Sequence, residues 1–368
     1  MVHPRYLAAT TQRINHGAMQ SGASAGVVEL DELSITVVVD NATDMLSSVP
    51  DGLPQSSESA HLLLGGGATL GAHDGHEMVA VFEQLCLACH GFSALARGRR
   101  GDDTATVLFD VGPSADVWLT NAVRLGIDLS DIDVLFGSHW HADHTGGMPT
   151  VVGAIAAARD RAGRQPLLVD LHPDRPDQRG ILTPLGRFAM LPPEPTFAEI
   201  EAAGGQIARH ADVHDVAGGL FLSSGLIPRT TDYETGLPGH YTWLDGRAAP
   251  DPVLRDERFL AARVRGRGTT VFSACSHAGI VNVGLEARRL VPHLPVDLLL
   301  GGYHLAGASV EDRISVTVTD LADLVSPRIV SPGHCSGWRA ASALVAAFSP
   351  SRYASCVVGT RFVLKAEP

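Results

Sequence analysis

Three imidazoles and one carboxylate fall within six residues at His139-Trp140-His141-Ala142-Asp143-His144, directly after the apolar run Ile132-Asp133-Val134-Leu135-Phe136. The run reads as a short buried strand, Gly137-Ser138 breaks it, and Thr145-Gly146-Gly147 opens the next segment. On a helix, positions i, i+2, i+4 and i+5 point to different sides, whereas an irregular loop at a strand end can turn all four inward. The spacing therefore predicts a strand-to-helix loop whose side chains face one point and bind metal. Imidazole nitrogen and carboxylate oxygen suit zinc, iron or manganese.

The pattern recurs downstream. His277 follows Thr269-Thr270-Val271-Phe272, His304 follows the apolar run 296–300 and Gly301-Gly302-Tyr303, and His334 follows Arg328-Ile329-Val330 and Ser331-Pro332-Gly333. Loops ending in His139, His277, His304 and His334 can thus converge on one edge of the sheets, where α/β proteins place their chemistry. His304 reads as a ligand, as a proton donor to a leaving group, or as a histidine at the edge of the core. His172, ahead of Pro173, and His240, in Pro238-Gly239-His240, are expected at the surface.

Breakers and periodicity organise the rest. Residues 1–30 are rich in Gly, Ser and Ala and read as a flexible arm or dimer-contact tail. Residues 31–368 read as one domain, with a strand at 35–39 and a loop insertion at about 47–77 that holds Pro50, Pro54 and Gly65-Gly66-Gly67. Helices are expected at 120–125, 154–162, 197–203, 282–290 and 336–348. Strands are expected at 167–171, 220–222, 259–264, 270–273, 296–300 and 329–330, with 172–195 irregular and a second half beginning near Gln206.

With 368 residues, 45% hydrophobic and 18% charged, the chain can bury a large core. A net charge of −12 argues against nucleic acid as a partner, and Arg97-Gly98-Arg99-Arg100 reads as a solvated turn. No run of eighteen apolar residues predicts a membrane span, and residues 1–24 lack an apolar core of signal-peptide length, which points to the cytoplasm. The five cysteines, at 86, 89, 275, 335 and 356, do not suggest a disulfide framework. Cys86-Leu87-Ala88-Cys89-His90 matches the attachment pattern of c-type haem, but the chain shows no export address for it. A structural or redox-sensitive thiol pair is the preferred reading, with His90 facing a pocket from the loop end. Arg229 and Arg339 are candidate countercharges for a phosphate or carboxylate on the substrate; Arg339 opens the helix after His334, where the helix dipole also favours anions.

His139-x-His141-x-Asp143-His144 resembles the signature of the metallo-β-lactamase fold superfamily of metal-dependent hydrolases. The resemblance narrows to the branch similar to dihydropteroate synthase or dihydropterin-ribofuranosylaminobenzene phosphate synthase proteins. It rests on Ile35-Thr36-Val37-Val38-Val39-Asp40-Asn41, His90-Gly91-Phe92-Ser93, Leu226-Ile227-Pro228-Arg229, Cys275-Ser276-His277-Ala278-Gly279-Ile280-Val281-Asn282, Gly301-Gly302-Tyr303-His304-Leu305 and Gly333-His334-Cys335-Ser336-Gly337. It implies an α/β fold, a four-layer αββα sandwich. It also implies that His139 and His141 hold one metal ion, that Asp143 and His144 hold a second, and that His277 and His334 complete the set. Where many members place a bridging Asp, this chain has Cys275-Ser276, so Cys275 is either a metal or redox ligand or a small buried residue closing a strand.

The expected function is metal-assisted hydrolysis of an ester, lactone or phosphoester-type small molecule, with one or two zinc ions, or manganese or iron, in a monomer or a homo-oligomer. Asp143 would orient the attacking water and His304 would protonate the departing group. The alternatives are a pterin-related condensing enzyme and a non-hydrolytic iron- or thiol-handling protein or sensor on the same fold.

Overall fold

The structure, a computed structural model, describes residues 27–44, 46–57, 68–82 and 84–368. Two large sheets face each other. The N-terminal sheet runs in the order Gln206–Arg209, Leu168–Leu171, Val134–Phe136, Asp103–Phe109, Ser93–Arg100, Glu32–Val39, Thr360–Lys365, Gln55–Ser57. The C-terminal sheet runs His214–Val216, Phe221–Ser223, Leu260–Val264, Gly268–Ser273, Val296–Gly302, Ile329–Gly333. Each sheet borrows a strand from the far end of the chain. Thr360–Lys365 pairs with Glu32–Val39, and Glu29–Leu30 pairs in parallel with Leu260–Val264.

Alternation explains the layering. In Glu32–Val39, Leu33, Ile35 and Val37 enter the core between the sheets, while Val38 and Val39 face the outer helices. Val296–Gly302 is buried throughout, as a strand covered on both faces must be: Leu298 and Leu300 point between the sheets, Val296 and Leu299 towards helices. Helices Ala115–Arg124, Met148–Arg161 and Phe197–Ala202 cover the N-terminal sheet through Trp118, Val151, Ile155 and Ile200. Ile280–Leu290, Ile314–Asp320 and Trp338–Phe348 cover the C-terminal sheet through Val283, Ala287, Leu344 and Phe348. The fold is the expected four-layer αββα sandwich.

Several local expectations are corrected. Gln206–Arg209 extends the N-terminal sheet beside Leu168–Leu171, so the second sheet starts at His214. Residues 172–195 are not irregular: Gln178–Leu182 and Phe188–Met190 join His240–Leu244 and Arg247–Pro250 in a separate four-stranded sheet, where the Phe188 ring lies 5.0 Å from those of Tyr241 and Trp243. Arg97-Gly98-Arg99-Arg100 ends a strand, with the turn following at Gly101-Asp102. Gly98 packs inward, where an added Cβ would lie 3.1 Å from Leu30, while the arginines face solvent. The described part of 47–77 holds the strand Gln55–Ser57 and most of the hairpin Thr69–His73/His76–Val79. Residues 1–26, most of the expected arm, and Gly65-Gly66-Gly67 lie outside the described residues. Among the described residues, no helix is long and apolar enough to cross a membrane.

Candidate metal centre

Parallel strands bring their C-terminal ends to one edge, and the loops leaving those ends carry the histidines. His139 and His141 sit on the loop after Val134–Phe136, and Asp143 and His144 lie within the short helix Ala142–Thr145. Four buried carboxylates clamp these loops by accepting backbone N–H groups. Asp110 takes that of Ser138 at 2.8 Å, Asp256 that of Trp140 at 2.8 Å, Glu257 that of His277 at 2.7 Å and Asp40 that of His334 at 2.8 Å. The clamps hold strained backbone in place: Asp110, Ser276, His304 and His334 all have left-handed φ, between 43° and 62°.

Hydrogen bonding fixes which ring nitrogens are free. The Asp251 carbonyl can only accept, so His240 donates from Nδ1 (2.8 Å) and its Nε2 accepts from His141 Nε2–H at 3.0 Å. The His141 lone pair is therefore on Nδ1. Ser138 donates its hydroxyl proton to Asp110, so it accepts from His139 Nδ1–H at 2.9 Å, and the His139 lone pair is on Nε2. These two lone pairs face each other at 3.0 Å, and His277 Nε2 lies 3.1 Å from the same His141 nitrogen. Such spacings are close to the edge of about 3.3 Å of a tetrahedron with zinc–nitrogen bonds of about 2.0–2.1 Å.

The second group is built the same way. His334 donates from Nδ1 to Asn41 Oδ1 at 3.0 Å, an oxygen also held by the Gly91 N–H, which turns the His334 Nε2 lone pair towards Asp143 Oδ2 at 3.2 Å. His144 Nδ1 is 2.9 Å from Asp110, leaving Nε2 3.2 Å from Cys275 Sγ and 3.6 Å from Asp143. Asp143, His144, Cys275 and His334 form one candidate cation group, and His139, His141 and His277 another. Lone pairs facing lone pairs or a carboxylate repel unless a cation lies between them, so both groups fit bound metal.

Charge agrees with that fit. Burial, reinforced by neighbouring histidines, holds His139, His141 and His277 well below the ordinary imidazole value, in the neutral form that ligates. Burial also brings His334 down to about 4. Burial opposes the charge on Asp143, but His144 and His334 outweigh it and keep this carboxylate well below its usual range. His144 is the exception: though buried, it is lifted to about 9 by Asp143 and Asp110, so it would have to give up its Nε2 proton to bind a cation.

A cavity of about 670 Å³ opens over both groups. His90 reaches its rim, accepting from Asn41 and lying 3.5 Å from Asp143. His304 lines it beside His277, with ring centroids 4.5 Å apart; burial and Arg313 bring it to about 4. Cys275 lines it too. Arg229 and Arg339 do not. Arg229 donates to the carbonyls of Ile227 and Val253, and Arg339 pairs with Glu311 at 2.8 Å. His172 and His240 are buried, contrary to expectation, because the strand His240–Leu244 turns His240 onto His141 and the carbonyl of His172 accepts from Trp140. Cys86 and Cys89 are free thiols, as are the other three cysteines.

Glu194, beneath the His-rich loop, has one oxygen bonded to Thr145 and the other without a partner, and burial pushes its carboxyl up to about 7. The folded state then binds more protons than the unfolded chain between about 4.5 and 7, so this group lowers stability as pH rises through that window. Glu194→Gln is expected to stabilise metal-free protein at pH 8 by on the order of 1–3 kcal/mol and to change little near pH 4, measured by urea unfolding.

Residues 88–248 match the family model of the metallo-β-lactamase superfamily. Residues 88–248 thus carry a metallo-β-lactamase superfamily domain. Over 253 residues it is 28% identical to 7,8-dihydropterin-6-methyl-4-(β-D-ribofuranosyl)-aminobenzene-5'-phosphate synthase of Methanocaldococcus jannaschii, covering 68% of this chain and 82% of that protein. The crystal structure of a metal-dependent hydrolase of the β-lactamase superfamily matches with a TM-score of 0.60 at 22% identity, over 91% of this chain and 100% of the other. That likeness is one of fold.

Proposed function

We propose that this metallo-β-lactamase-fold chain is a metal-dependent hydrolase acting on an ester, lactone or phosphoester-type bond of a small molecule. The observation that supports it is the convergence of buried, neutral histidine lone pairs and Asp143 on the floor of the cavity. His139, His141 and His277 would hold one cation, and Asp143, His144 and His334, with Cys275, a second. Bound zinc supplies Lewis acidity, which brings water towards a neutral pKa and polarises a carbonyl or phosphoryl oxygen; manganese or iron suits many of the same donors.

Asp143 keeps a carboxylate at the cavity floor that accepts a hydrogen bond from water and orients it. His304, neutral at pH 7 on its low pKa, offers an N–H to the departing group as a hydrogen-bond donor. Ile181, Leu191, Pro192, Pro193 and Leu237 form an apolar wall suited to an apolar or aromatic substrate body. With Arg229 and Arg339 engaged elsewhere, His90 is the rim group placed to meet a polar substituent. His240→Ala is expected to weaken metal binding about 10–100-fold by releasing the His141 ring, as read by competition with a chelator.

The Methanocaldococcus relative supports a second reading, a synthase that joins a dihydropterin to a ribofuranosylaminobenzene phosphate. One assay separates the two. Metal-loaded protein is given aryl esters, lactones and phosphodiesters singly, and separately a dihydropterin pyrophosphate with the aromatic amine. Cleavage of a single small molecule supports the hydrolase; pyrophosphate release that needs both organic substrates supports the synthase and overturns the first reading.

A further inference from the structure

We propose that Asp170, His210 and His214 form a further site for a borderline divalent cation such as zinc or nickel, separate from the two groups at the cavity floor. Their ligand atoms lie within 4.8 Å of one another. Asp170 Oδ2 is 2.7 Å from His214 Nε2 and 3.2 Å from His210 Nδ1. The imidazole rings lie 4.0 Å apart, tilted by 31° to one another, and both present a nitrogen to the same oxygen.

The surroundings are those of a ligand set. His214 Nδ1 is 2.8 Å from the Asp212 carbonyl, which can only accept, so a neutral His214 carries its lone pair on Nε2, towards the carboxylate. Asp170 Oδ1 is held by Arg258 at 2.9 Å, which fixes the carboxylate and leaves Oδ2 as a single-atom donor. Arg258 also donates to the His210 carbonyl, and the His210 N–H bonds to Leu171, so the second histidine is anchored through its backbone. Two imidazoles and one carboxylate form a set that borderline divalent metals take, with water completing the shell. The His210 side chain is 42% exposed and that of His214 16%, so a cation reaches the site from solvent without crossing the catalytic cavity.

A proton on His214 would satisfy the same contact, and metal counting distinguishes the two. Untagged full-length chain and its His210→Ala/His214→Ala variant are titrated with zinc and analysed for bound metal after gel filtration at fixed free zinc, with His210→Gln/His214→Gln as a second variant should the first fold poorly. The expected result is one zinc fewer per chain in the double variant, with turnover unchanged and with His334→Ala leaving this binding step in place. Equal zinc content in parent and folded double variant, with His214 an ordinary imidazolium–carboxylate pair by nitrogen NMR, would overturn the site. Loss of zinc only in His139→Ala or His334→Ala speaks to the cavity centre instead.

Discussion

Asp143→Ala is expected to lower kcat/KM by about 10²–10⁴-fold while leaving a protein that still folds and unfolds cooperatively. The Asp143 carboxylate meets titratable side chains at the cavity: His334 at 3.2 Å, His90 at 3.5 Å and His144 at 3.6 Å. Its removal would take away the proposed cation ligand and the group proposed to orient water, but no backbone clamp. Steady-state kinetics and thermal unfolding on the same preparation check both halves. Wild-type activity in a folded variant contradicts the proposed site.

Arg179→Met is expected to destabilise the protein by about 3–5 kcal/mol, because it strands Asp256 as a buried, unpaired carboxylate. Arg179 and Asp256 are 2% and 3% exposed and meet at 2.6 Å. Together they hold the residue between His139 and His141, Asp256 accepting the Trp140 N–H and Arg179 donating to the Trp140 carbonyl. Burial disfavours the Asp256 charge, but Arg179 outweighs it and holds this carboxyl at about 2, below the ordinary 3.8. The contribution is therefore full above about pH 4 and fades as pH falls towards 2. An Arg179→Met/Asp256→Leu double variant should recover part of the stability, since an apolar pair replaces a buried ion pair. It should not recover metal affinity, because Trp140 has lost both its anchors. Urea unfolding and chelator competition on the two variants separate these effects; unchanged stability in Arg179→Met contradicts the clamp.

The histidines that the fold brings together were legible in the sequence because each stands next to a local signal, an apolar run followed by a breaker. The groups that aim them were not, because their partners are remote. Asp40 and His334 are 294 residues apart, Trp140 and Asp256 116, and His141 and His240 99. Pro238-Gly239 ahead of His240 carries turn chemistry that reads as surface, yet the following strand folds the ring inward. The small sheet was hidden by the prolines around its strands. The helix Ile314–Asp320, Ile-Ser-Val-Thr-Val-Thr-Asp, was missed because its β-branched residues favour strand locally, and packing on the C-terminal sheet decides otherwise. Arg339 looked free from its place at a helix start; Glu311, on a separate segment, takes its charge.

Elemental analysis of untagged protein, with His139→Ala and His334→Ala beside the parent and all three in a His210→Ala/His214→Ala background, tests the central claim most directly. The account predicts zinc, or manganese or iron in its place, bound to the parent and reduced by each of the two cavity variants. Protein that binds no metal, or that keeps its full metal content in both His139→Ala and His334→Ala, would contradict it.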